Sequence, residues 1–344
     1  MLAVRILFGV ALALWSAGAA TAASHRVIID TDFALPPQDD GLALALALNS
    51  PELDIVAITT VAGNFNIERA NVDILRMLEI AGRTNLPVYA GAKRPLVHVK
   101  DTFATSHYGK WWSDDPAPPP FGGFAAKTLE REGAVDALIR LVMATPGEVE
   151  IIALGPLTNI AQAIEQRAGF ATAVKRLVIM GGAFASLPDG AGNITPNAEF
   201  NFWVDPEAAH RVLRSGIPIE LSPLNVSRKT ALTRSWYDRL VAVDTPVTRL
   251  IKSQMGRVFV DTPDRKLLMF DEVAVASAID PTLVKTQKLV VDVDVAHGLN
   301  YGVSVGGRTE WPGAEGAREV AVQYDVDWER FITLFIGRVT AIRP

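Results

Sequence analysis

Val27-Ile28-Ile29-Asp30-Thr31-Asp32 runs into Phe33-Ala34-Leu35-Pro36-Pro37-Gln38 and then into Asp39-Asp40-Gly41, where an apolar helical stretch begins. A short β-branched run followed by a turn and a helix-period segment is the opening of a βαβ unit. The alternation continues. Strand patterns are expected over 26–30, 54–60, 87–90, 149–154, 175–180 and 218–221, with helical patterns over 41–49, 67–81, 133–144, 157–165 and 206–215. Asp205 before Pro206 has the order of an N-cap and a first helical position. The fold class expected is α/β, an open and mostly parallel (mixed) sheet with helices on both faces.

Ligands of such sheets bind outside the carboxyl ends of the strands, so the carboxylates there matter. Four of them, Asp30, Asp32, Asp39 and Asp40, stand at the end of a buried strand and the start of the next helix. Like charges repel unless something positive lies among them, and oxygen-only ligands suit a hard cation such as calcium or magnesium. Alternatively, Asp39 and Asp40 cap the helix while Asp30 and Asp32 make turn hydrogen bonds. Three long irregular stretches, 98–127, 185–196 and 299–316, qualify as rims or lids of a site at this edge.

Composition narrows the chemistry. The chain has 344 residues, no cysteine, and 33 Lys+Arg against 38 Asp+Glu, a net charge of -5. Disulfides, thiolate metal sites and a cysteine nucleophile are excluded. The acidic balance and lack of basic runs disfavour nucleic acid and anionic membranes as partners. Arg5, an apolar stretch from Ile6 to Trp15, and the small residues ending Ala20-Thr21-Ala22 have the layout of a secretory signal. The expectation is a signal peptide over 1–22, one catalytic domain over 23–344, no stable membrane anchor, and a periplasmic or secreted location.

Further along stand Thr60-Val61-Ala62-Gly63-Asn64, Ala153-Leu154-Gly155-Pro156-Leu157-Thr158-Asn159-Ile160-Ala161, Met180-Gly181-Gly182-Ala183, Ala198-Glu199-Phe200-Asn201 preceded by Asn193, and Val204-Asp205-Pro206-Glu207-Ala208-Ala209. In this order the set closely resembles the inosine–uridine-preferring nucleoside hydrolase family, from about Val27 to about Phe331. The resemblance implies hydrolysis of the N-glycosidic bond of ribonucleosides to ribose and free base, with Ca2+ as cofactor. It implies Asp32, Asp40, Asp271 and the backbone carbonyl of Thr158 as metal ligands. Asp39, Asn64, Met180, Asn193, Glu199 and Asn201 then face the substrate, and Asp30 orients its neighbours. The partners implied are a small-molecule nucleoside and, from the family's habit, a second copy in a homodimer or four in a homotetramer.

Elementary chemistry points the same way. Cleaving an N-glycosidic bond builds positive charge on the ribose ring, which carboxylates and amide oxygens stabilise. A metal-bound water is easier to deprotonate than bulk water, and Asp32 is the expected base. Direct attack by that water makes the reaction inverting.

Two departures from the family pattern stand out. Six residues, 33–38, separate Asp32 from Asp39 where the family usually has three; a loop of this length, stiffened by Pro36-Pro37, can present both ends if it bulges outward, with a metal geometry that can differ from the family norm. Phe270 stands where many relatives have a histidine before the distal aspartate, and a phenylalanine cannot protonate a leaving base; it stacks on the base or packs under the loop. His107 is the remaining acid in reach of the resemblance, with Trp111 and Trp112 as an aromatic lid or as packing beneath a long loop. Tyr301 is a weaker substrate-facing candidate.

Two other classes fit part of the pattern. A non-catalytic nucleoside or ribose receptor would keep the sugar-binding groups and tolerate Phe270. A magnesium phosphohydrolase would use Asp30 and Asp32 but needs phosphate-binding Lys and Ser/Thr residues after later strands, where this chain has mainly Asn, Gly and Met.

Overall fold

The structure is a computed structural model that describes residues 24–342 apart from residue 101, residues 103–105 and residues 107–112. All six expected strands form: β1 (His25–Thr31), β2 (Leu53–Thr60), β3 (Val88–Ala90), β4 (Val149–Ala153), β5 (Arg176–Met180) and β6 (Ile219–Ser222). They lie parallel in one sheet that continues through β9 (Arg318–Val326), β7 (Val284–Val293) and β8 (Ser304–Gly307), in the order β3-β2-β1-β4-β5-β6-β9-β7-β8. β9 runs parallel to β6, while β7 is antiparallel to both β9 and β8, so the sheet is mixed as expected.

β1 explains the two-sided core. Its side chains alternate between faces, so Val27 and Ile29 enter one apolar cluster and Ile28 the other. The first cluster packs the helices Asp39–Leu48, Pro246–Asp261, Asp271–Ile279 and Trp328–Ala341; the second packs Ala134–Ala144, Thr158–Gln166 and Pro206–Leu213. Because both faces are covered, the central strands read as continuous apolar runs rather than alternating ones.

Two helices decide where the site lies. Asp39–Leu48 and Asp271–Ile279 are apolar all round, buried along nearly their whole length, and packed against each other. Each begins with acidic residues, Asp39-Asp40 and Asp271-Glu272. The packing therefore brings two acidic helix N-termini together at the carboxyl edge of the sheet.

The loop over 33–38 does not bulge outward. Phe33, Ala34, Leu35 and Pro36 are buried, and Pro37 alone is exposed. Phe33 and Leu35 join the first core cluster, so burial of their apolar surface pulls the extra length inward. Leu35 N donates to Asp73 Oδ2 at 3.4 Å, and Pro36 lies so close over the first helical turn that a Cβ at Gly41 would sit 2.5 Å from its Cδ.

The C-terminal strands β7 and β9 were missed by the strand pattern because their first halves carry Lys, Gln, Glu and Arg on exposed faces. Of the three irregular stretches, 299–316 contains β8.

Candidate active site

Asp32 leaves the end of β1 and is 1% exposed. Its Oδ2 accepts the backbone N–H of Asn64 at 2.6 Å, while its Oδ1 is buried and accepts nothing among the described residues. Gly63 and Gly155 allow this seat: a Cβ at Gly63 would overlap the carboxylate, and one at Gly155 would lie 2.7 Å from Oδ1. Asp40 is equally buried, held by the Thr31 hydroxyl on Oδ1 and by Asn64 Nδ2 on Oδ2 at 2.8 Å. Asn64 thus bridges two of the carboxylates. Asp30 accepts the Thr59 hydroxyl at 2.5 Å and Asn159 Nδ2 at 2.7 Å, and Asn159 also binds Thr60 O and Ala92 N.

One carboxylate oxygen each from Asp39, Asp40 and Asp271 lies within 4.8 Å of the others. This cluster takes in Asp39, which sequence assigned to the substrate, and leaves Asp32 beside it. The N-cap of the first helix is Gln38, which makes no side-chain capping bond, so Asp39 and Asp40 are first-turn residues rather than caps. Burial pushes Asp40 and Asp271 well above the carboxylate range, and their acidic neighbours push further in the same direction. Asp32 rises to about 8, chiefly through burial, with the Asn64 N–H opposing and the charges of Asp39 and Glu199 adding. Buried carboxylates that cannot all be ionised beside one another, with an unmatched oxygen among them, fit a hard divalent cation, which takes 6–8 oxygen ligands.

Above the cluster opens a cavity of about 710 Å³. Asp39, Asn64, Met180, Asn193, Glu199, Asn201 and Asp271 all line it, so these sequence-predicted residues do converge. Glu199 is the N-cap of a short helix and accepts three backbone N–H groups, from Gly182, Asn201 and Phe202. Asn201 spends Nδ2 on Leu154 O, Met180 O and Met180 Sδ, leaving Oδ1 without a donor among the described residues. Asn193 Oδ1 accepts Phe200 N. Leu42, Leu232, Met255 and residues 267–270 add apolar surface to the lining.

Thr158 lies off the cavity, its hydroxyl donating to Asp205 Oδ2 at 2.6 Å; Asp205 also caps the helix Pro206–Leu213. Phe270 lines the cavity and packs on the first core cluster. Tyr301 faces elsewhere: its hydroxyl donates to Glu207 at 2.9 Å and its ring stacks on His297. His107, Trp111 and Trp112 lie outside the described residues. Among the described residues no histidine lines the cavity.

Sequence reasoning missed Glu272 and Asn159, and read Asp205 correctly as an N-cap but not as the partner of Thr158. Glu272 stands beside Asp271 with no motif of its own; Asn159 and Asp205 sit inside quoted motifs, with nothing local to say which buried carboxylate or hydroxyl they reach.

Fold and site together define an α/β protein with a carboxylate cluster that could hold a metal ion beside a cavity at the carboxyl edge of its sheet. Residues 27–333 match the inosine-uridine preferring nucleoside hydrolase family, and the chain belongs to that family. The pyrimidine-specific ribonucleoside hydrolase RihB of Escherichia coli is 31% identical over 311 residues, covering 88% of this chain and 94% of RihB. Among solved structures, the plant nucleoside hydrolase PpNRh1 superposes with a TM-score of 0.80 at 31% identity, covering 92% of this chain and 99% of that one. The purine-preferring ribonucleoside hydrolase from Gardnerella vaginalis gives 0.77 at 27% identity, covering 92% and 98%. Hydrolysis of the N-glycosidic bond of ribonucleosides is the activity these findings support, and the receptor alternative is not favoured.

Proposed function

We propose that the protein is a Ca2+-dependent, inverting ribonucleoside hydrolase in which Asp32 is the general base. The observation that carries this is the orphaned Oδ1 of Asp32, buried beside the cluster of Asp39, Asp40 and Asp271 under the cavity. Asp32, Asp40, Asp271 and the Thr158 carbonyl would hold the cation, with Asp39 shared between cation and ribose. When bound, the cation neutralises the cluster and makes water a better acid.

The chain's own groups do the rest. Asp32, fixed through its other oxygen by Asn64 N–H, takes the proton of the attacking water. Asp39, Asn64, Asn193, Glu199 and Asn201 grip the ribose hydroxyls, with Met180 beside the ring. Positive charge developing on that ring meets carboxylates already buried and oriented, so little reorganisation is needed at the transition state. The apolar part of the lining, Leu232, Met255 and residues 267–270, receives the base. Its departure falls to His107, by resemblance alone. We further place the mature protein, from residue 23, in the periplasm or outside the cell, with a free nucleoside as its partner.

Release of reducing sugar from purine and pyrimidine ribonucleosides tests this. Chelation abolishes release, and calcium restores it. Persistence of full activity in chelator rejects the cation dependence. Absence of release from every nucleoside rejects the enzyme.

A further inference from the structure

Residues 265–272 all line the cavity and change character along the run. Arg265 and Lys266 are exposed at its rim, residues 267–270 are apolar, and Asp271 and Glu272 are buried carboxylates. Asp271 is accounted for by its place beside Asp39 and Asp40. Glu272 is not. It is 1% exposed, stands outside that group of three, and its Oε2 accepts no hydrogen bond among the described residues.

A buried carboxylate oxygen without a donor is costly, and one that lines a cavity is placed to be completed by what the cavity takes up. Glu272 lies on the lining of the cavity, next in sequence to the apolar residues 267–270. In the proposed reading the ribose hydroxyls already have partners in Asp39, Asn64, Asn193, Glu199 and Asn201, which line the same cavity. What remains for Glu272 is the other half of the substrate. A base needs flat apolar contact for its faces and a few placed polar groups for its edge, and a carboxylate can only accept.

We propose that Glu272 is a specificity-determining residue, its carboxylate accepting a hydrogen bond from a ring N–H on the edge of the nucleobase. The N3–H of uracil and the N1–H of hypoxanthine are donors of this kind. The assignment rests on the ribonucleoside reading of the cavity. It makes the enzyme sensitive to a single methyl group on that nitrogen, because methylation removes the donor and leaves the acceptor buried and unmatched.

The test compares kcat/KM for uridine with 3-methyluridine and for inosine with 1-methylinosine, in wild type, Glu272→Gln and Glu272→Met, with calcium affinity of each protein measured by calorimetry. Wild type prefers the unmethylated member of the pair by tenfold or more. Glu272→Met lowers kcat/KM for that member about tenfold and leaves the methylated one within twofold, while Glu272→Gln, which keeps an acceptor oxygen and guards against loss of fold, falls between. Calcium affinity stays within threefold. A methylation ratio unchanged in Glu272→Met overturns the proposal, as does a tenfold loss of calcium affinity, which would make Glu272 a cation ligand instead. Wild type inert toward all four nucleosides would sink the ribonucleoside reading itself, a result distinct from an active enzyme indifferent to Glu272.

Discussion

At the scale of single residues, Asp32 is the most exacting position in the molecule. Its carboxylate is wedged between the backbones of Gly63 and Gly155, tethered through one oxygen and open at the other. Asp32→Asn keeps the shape and the tether but removes the base. The expected result is a fall in kcat of about 10²–10⁴-fold, the usual worth of general base catalysis, with no loss of thermal stability in the metal-free protein. A kcat within threefold of wild type would remove Asp32 from the mechanism. Gly155→Ala is expected to be as inactive as Asp32→Asn, since its methyl would press to 2.7 Å from Oδ1 and 2.8 Å from the Asp32 backbone N and force the carboxylate to shift; sugar release by the purified, folded variant measures this. The glycines and aspartates were all legible as motifs, but the contacts between them were not. Nothing in Thr60-Val61-Ala62-Gly63-Asn64 says that one asparagine uses its backbone on Asp32 and its side chain on Asp40.

At the scale of elements, two buried helices with acidic starts do the positioning, and the helix Pro206–Leu213 secures a third side of the site. Asp205 caps that helix through Ala208 N, accepts Leu96 N, and holds the Thr158 hydroxyl. Asp205→Ala therefore removes a cap and strands two donors, at a cost of about 2–4 kcal/mol in urea unfolding. A cost under 0.5 kcal/mol would show that these bonds contribute nothing net. Strands with continuous apolar runs were readable because both faces of the sheet are covered. β7 and β9 were not, because a half-exposed strand at the far side of a sheet reads as polar sequence, and its pairing partner is distant in the chain. The direction taken by residues 33–38 was also beyond local reading. Loop length says how much chain must be placed, while the core decides that Phe33 and Leu35 go inward.

For the whole molecule, the antiparallel end of the sheet must be tied to the parallel part, and Asp292 on β7 is one such tie. It accepts His210 Nδ1 at 2.7 Å and Arg214 Nη2 at 2.5 Å, joining β7 to the helix that Asp205 caps and the residue just after it. Burial alone would raise its carboxyl, yet His210 and Arg214 outweigh burial and hold it down at about 2. A depressed folded value means the contribution is complete above the ordinary value near 4 and is lost as pH falls from about 4 toward 2, amounting to about 1–2 kcal/mol. Asp292→Asn is accordingly expected to lower Tm at neutral pH and to flatten the decline of Tm between pH 4 and pH 2. Parallel curves for the two proteins across that range would contradict the assignment.

The inward course of residues 33–38 also bears on how such enzymes can be altered. Loop insertions are ordinarily the cheapest change a protein makes, because added chain goes into water. Here the additional residues are part of the interior, and their two ends carry Asp32 and Asp39. Trimming the segment would therefore hollow the core while moving Asp32 and Asp39, so length and core volume must change in a single step. A designer grafting the shorter loop has to supply larger side chains around Phe33 and Asp73 at the same time.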